Sequence, residues 1–250
     1  MLSHRVTQLL EENLDYVYGT QTRAENTINK FGRNLNIAAN SNPEIIWSGG
    51  ATYPFQTSAQ SIEIVSSSGL DTGGGTGAQT IQVFGLDENW LPINETKTLT
   101  GIVEVDLDNT YIRIFRAEII NVGATNSNVG TINIQVQGGG TILAIIEPTI
   151  GQTLMAIFST SANQIAYLKK VDASIVRTTN VVRGSMQIRI REFEQAIKTK
   201  KTFSFTSDNS YQYLYVGSII LPPKTDIWLE KTFASAVSAI SAEFDMIIQE

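Results

Sequence analysis

The residues with the most obvious chemical promise lie in the stretch GLDTGGGTGAQ, from Gly69 to Gln79. Glycine-rich turns of this kind cradle phosphates when they lead into a helix whose N-terminal amides hold the anion. A Walker loop further requires Gly-Lys-Ser/Thr at its end. Here no lysine is present, and the loop runs into TIQVF, whose alternation of apolar and polar residues is that of a strand. A dinucleotide fingerprint fails on the same ground. The stretch reads as a flexible strand connector.

Paired carboxylates are the next chemistry to test, because a glycosidase needs only two acids. Glu104, Asp106 and Asp108 recur at steps of two, roughly 7 Å apart along one strand face. Such a row reads as a solvated face, with calcium binding as the alternative. Asp87, Glu88 and Asn89 precede Trp90 as a turn, again with calcium as the alternative. The sequence has one histidine, His4, and no cysteine. Histidine-dependent triads, His-ligated zinc and disulfides are therefore excluded, and no cofactor is expected.

Basic stretches occur at YLKK (167–170), RIREF (189–193) and KTKK (198–201). They are dispersed, and the chain carries a net charge of −6. They read as outward-facing lysines and arginines or as contacts to an acidic protein partner; no nucleic-acid partner is expected. Tyr211, Tyr213 and Tyr215 share one strand face. That row can pack on a sheet neighbour or serve a sugar or a subunit interface.

The elements that must position these residues are strands. The 250-residue chain is 42% hydrophobic, 17% charged and rich in Ser, Thr, Asn, Gln and Gly, which suits a β protein with a neutral, hydrogen-bonding surface. Period-two alternation runs through SIEIVSS, TIQVFGL, IVEVDLDNT, MQIRIREF and AEFDMII. Turn clusters such as GATNSNVG, QGGG and TSDNS separate the strands. TFASAVSAIS (232–241) reads as an irregular strand or loop. The expected fold is all-β, an antiparallel β-sandwich of jelly-roll type.

A short helical arm is expected ahead of it over residues 3–18. Ser3 can cap it, Val6, Leu9, Leu10, Leu14 and Val17 form its apolar stripe, and Gly19 stops it. The stripe must be buried, either on its own domain or on a neighbouring subunit. Residues 20–42 read as an extended connector, so that residues 1–42 precede a β body over 43–250. That body is either one sandwich or two stacked ones divided near 148. The N-terminus lacks the apolar core of a signal peptide, and no apolar run approaches the ~20 residues needed to cross a bilayer, so no membrane partner is expected.

The succession KFGRN (30–34), EIIWSGG (44–50), VSSSGLDTGGGTGAQTIQVFGLDENW (65–90) and ETKTLTG (95–101) resembles a family of uncharacterised structural proteins of tailed phages, especially aquatic ones. The likeness continues through YIRIFRAEI (111–119), NVGTINI (128–134), GQTLMAIFS (151–159), AYLKK (166–170), TDIWLE (225–230) and SAEFDMII (241–248). Members of that family more often carry a Pro-Ala-Gly turn where this chain has STSANQIAY (159–167). The resemblance implies a non-enzymatic virion protein, assembled in the host cytoplasm. A minor capsid, cement or decoration subunit is the first expectation, and a tail, baseplate or glycan-binding fibre component is the alternative. It would form a homo-oligomer and bind other virion proteins, the major capsid protein first among them. Val6, Leu9, Leu10, Leu14, Val17, Tyr211, Tyr213 and Tyr215 are the candidate interface.

Overall fold

A computed structural model describes residues 25–176 and 180–250. The helix expected over residues 3–18 lies outside them, and with it Val6, Leu9, Leu10, Leu14 and Val17. Among the described residues every regular element is a β-strand, and all strand pairs are antiparallel.

Alternating apolar residues build two sandwiches with separate cores. The first uses β1 (Glu25–Ile37), β10 (Ile157–Ser159), β11 (Ile165–Ile175), β12 (Arg183–Arg191), β13 (Lys198–Thr206), β14 (Tyr211–Leu221), β15 (Asp226–Ala234) and β16 (Ser238–Gln249). One sheet has the order β1-β16-β11-β14 and the other β10-β15-β12-β13, with the short β2 (Glu44–Ile45) added beside β15. Leu168, Val171, Phe244 and Met246 of the first sheet meet Met186, Ile188, Ile190 and Leu229 of the second in one buried cluster. Each such side chain contributes about 1.5–3 kcal/mol by leaving water. TFASAVSAIS forms the end of β15, a turn and the start of β16.

The second sandwich lies within the sequence of the first. It comprises β3 (Gln60–Ser66), β4 (Ala78–Leu86), β5 (Pro92–Thr98), β6 (Val105–Tyr111), β7 (Arg113–Val122), β8 (Ile132–Val136) and β9 (Ile142–Ile146). Its sheets are ordered β6-β3-β8-β9 and β5-β4-β7. Ile62, Ile64, Ile132 and Ile134 pack against Ile81, Val83, Ile114 and Ala117. Trp228 of β15 belongs to this second core. An aromatic chain leads to it, Trp47 to Tyr53 edge-on at 5.2 Å, Tyr53 to Phe55 edge-on at 4.9 Å and Phe55 to Trp228 tilted at 5.0 Å.

Two sequence expectations change here. Residues 25–37, read as connector, form β1, paired with β16 from Glu25↔Gln249 to Ile37↔Ser238. The alternation was hidden because the inward positions Lys30, Gly32 and Asn34 are not apolar. Lys30 and Asn34 are nevertheless buried. A Cβ at Gly32 would come within 2.3 Å of the Ala156 amide and the Ile46 carbonyl, so backbone fills the place of a side chain. The β body therefore includes residues 25–37, ahead of the expected boundary at 43. The chain also leaves the first core after Ile46 and re-enters it at Ala156. A single cut near residue 148 would strand β1 on the wrong side.

Candidate functional site

The glycine stretch is organised by a carboxylate. Asp71, fully buried, accepts from the amides of Ala78 (2.9 Å) and Val129 (2.8 Å) on Oδ1. Its Oδ2 accepts from the Gly130 amide (2.8 Å) and the Ser66 hydroxyl (2.7 Å). A Cβ at Gly77 would lie 2.2 Å from Asp71 Oδ1, which explains that glycine by packing. Within the stretch, Asp71 takes the Ala78 amide, and the amides of Gly73, Gly75 and Gly77 go to the carbonyls of Leu99, Thr72 and Leu70, in a loop that connects two strands. Glu63 does the same for QGGG, where Gly138 and Gly139 both have positive φ. The Gln135 side chain and then the two glycine amides hold the Glu63 carboxyl below its usual range.

Three of the other candidate acids hold contacts within the chain. Asp106 accepts from Gln137, Asp108 pairs with Lys97 at 2.6 Å, and Glu104, Asp106 and Asp108 are all exposed. Asp87 accepts from the amides of Asn89 and Leu91, closing its turn. Among the described residues no group of three or more His, Cys, Asp or Glu side chains is placed to hold a metal. Of the basic residues, Lys170 pairs with Asp172 and Lys198 with Glu192, on different sheets.

The three tyrosines share a face, turned toward the partner sheet. Tyr211 stacks on Phe203 at 4.0 Å, Tyr213 lies parallel to Tyr211 at 6.4 Å, and Tyr215 meets Tyr213 edge-on at 4.8 Å. Lys201 lies over Tyr213. The opposite face of the same strand is the exposed one. Leu214, Val216 and Ile220 are 69%, 71% and 59% exposed, on a strand that among the described residues has a single partner, β11. From Tyr211 to Leu221 there is no charge. Free edges are normally guarded by charge or proline, so this one has the character of a contact surface. The sequence YQYLYVGSIIL shows that both parities are largely apolar, without showing which of them is exposed.

Two polar ties at the junction of the sandwiches have no local sequence signature. In the first, Arg113 of β7 and Asp226 of β15 form a bidentate pair at 2.7 and 2.9 Å, with both side chains almost wholly buried. Asp226 also accepts from Arg191 (2.7 Å) and Ser159 (2.6 Å). The Arg113 guanidinium lies 4.6 Å from the Trp90 ring and 5.4 Å from Phe55.

In the second tie, Lys30 of β1 is 4% exposed and donates to the Phe115 carbonyl on β7. Burial, and after it the charge of Arg116, lower the Lys30 pKa from 10.5 to about 7. The unfolded chain then binds a proton between about pH 7 and 10.5 that the folded chain releases, so stability rises with pH across that window. The penalty is fully present below about pH 7. Lys30→Met is expected to stabilise the fold by about 1–3 kcal/mol at neutral pH and to abolish this slope. Urea unfolding of both proteins at pH 6.5 and 9.5 checks it, and an unchanged slope in the variant contradicts the assignment.

No family model matches the chain, and no curated protein does. Among solved structures it is similar to a chain of an IBDV viral particle, at 10% identity over 98% of this chain and 76% of that one, with a TM-score of 0.24. A chain of the infectious bursal disease virus Gt strain matches at 12% identity over 94% and 76%, with a TM-score of 0.22. The VP2 subviral particle of infectious bursal disease virus matches at 11% over 91% and 72%, also with a TM-score of 0.22. Scores of this size do not establish a common fold.

Proposed function

We propose that this chain is a non-enzymatic structural subunit of a virus particle, a minor capsid, cement or decoration protein of a tailed phage that acts by binding its neighbours. The observation that carries the reading is the strand order of the first sandwich. Numbering its eight strands along the chain, and leaving β2 aside, one sheet runs 1-8-3-6 and the facing sheet 2-7-4-5. This order supports a jelly-roll reading, an architecture recurrent in capsid domains, lectins and cupins. Architecture alone does not select among these. The sequence resemblance to phage structural proteins favours the first, and the buried carboxylates, each engaged by the chain's own donors, favour binding over catalysis.

The binding surface that fits this role is the uncharged edge of β14, with Leu214, Val216 and Ile220 outward and Tyr213 at its margin. Copies of this chain and a major capsid protein are the partners, and burying that edge across subunit junctions stabilises the assembled shell. Cryo-EM of the intact virion, with copies counted per particle, tests the reading. Many copies spread over the shell with β14 at a subunit junction are expected. A few copies confined to the tail would overturn the capsid assignment.

A further inference from the structure

Where β1 meets β4, β7 and β10, a cavity of about 240 Å³ opens between the two sandwiches. Its walls are the rings of Phe84, Phe115 and Phe158, the side chain of Ile28 and two cations, Lys30 and Arg116. Among the described residues no carboxylate lines it. Asp245 accepts from the Asn29 side chain at 2.6 Å, and Glu118 follows Arg116 on β7, but neither reaches the cavity. Among the described residues, Lys30 donates to the Phe115 carbonyl, and Arg116 makes a long 3.4 Å bond to the Asn29 carbonyl. Among the described residues, two cations therefore face one apolar space without a counter-charge. An arrangement that costs stability and could be relieved by a methionine is characteristic of a site kept for function.

We propose that this cavity binds a carboxylate carried on a short apolar group. An anion between Lys30 and Arg116 supplies the missing opposite charge and restores the protonated lysine. The planar guanidinium matches the two carboxylate oxygens, and the three phenyl rings cover the apolar remainder. The volume lies below the roughly 300 Å³ at which drug-sized pockets begin, which limits the ligand to a small monocarboxylate or to one carboxylate-bearing unit of a neighbouring protein.

Calorimetric titration of the isolated chain with phenylacetate tests this. Binding is expected, with phenylacetamide at least tenfold weaker because it lacks the charge. At pH 7 binding should take up a fraction of a proton as Lys30 is recharged, seen as a dependence of the heat on the buffer's ionisation enthalpy. Lys30→Met and Arg116→Gln should each weaken phenylacetate at least tenfold, and the first is expected to fold more stably than the parent. N-Acetylphenylalanine distinguishes the sources. Tighter binding of phenylacetate supports a free acid, and tighter binding of N-acetylphenylalanine supports the carboxyl end of a polypeptide. Absence of binding, equal affinity for the amide, or unchanged affinity in both variants would overturn the site.

Discussion

Asp226→Ala is expected to be among the most destabilising single substitutions in this chain, costing about 3–5 kcal/mol. The carboxylate is shared by two guanidiniums, and removing it leaves Arg113 buried against Arg191 with no counter-charge. Arg113→Ala comes close behind. It empties the space against Trp90 and Phe55, although Asp226 keeps Arg191 and Ser159. Arg191, whose side chain is 31% exposed, forms a bridge that solvent already screens, and Arg191→Ala should cost about 1 kcal/mol or less.

The ranking separates two accounts of the cluster. If the pair stabilised the fold by attraction alone, Arg113→Met with Asp226→Leu would cost as much as either single change. If the penalty of a lone buried charge dominates, the double variant should recover most of the single-variant loss. Urea unfolding of the four proteins decides this, and a loss below about 1 kcal/mol for Asp226→Ala would mean that water reaches the cluster. Because Arg113 starts β7 and Asp226 starts β15, the tie also fixes one sandwich against the other. Its loss should broaden or split the thermal transition.

Sequence patterning revealed the strands wherever one face is apolar. Ile81 and Val83 point inward, Gln82 and Phe84 are less buried, and β12 and β16 alternate along most of their length. It failed at β1 for a physical reason. The inward residues there meet backbone and the second sandwich rather than a hydrocarbon core, so Lys30, Gly32 and Asn34 took positions where alternation demands aliphatic side chains. The tyrosine face of β14 was legible from spacing; that the opposite face stands exposed was not, because a single sequence does not say which strand lies at an edge. Arg113 and Asp226 are 113 positions apart, and nothing local to either announces the other.

Asp71 presents the converse case, a residue inside an eye-catching stretch whose role is neither phosphate binding nor flexibility. Asp71→Ala is expected to cost about 3–5 kcal/mol. The substitution removes four hydrogen bonds to one carboxylate and leaves the amides of Ala78, Val129 and Gly130 without that acceptor. Each net bond to a charged group contributes about 1.5–3 kcal/mol, and partial water entry holds the total below the sum. Asp71→Asn separates charge from geometry. Its remaining carbonyl can serve Val129 and Ala78, while its amide nitrogen must face the Gly130 amide, donor against donor. An intermediate loss of about 2 kcal/mol follows, with amide exchange quickened at Gly130 before Ala78. Equal stability of the asparagine variant and the parent would show that the loop holds itself, and that its glycines, rather than Asp71, set the path of the chain between β3 and β4.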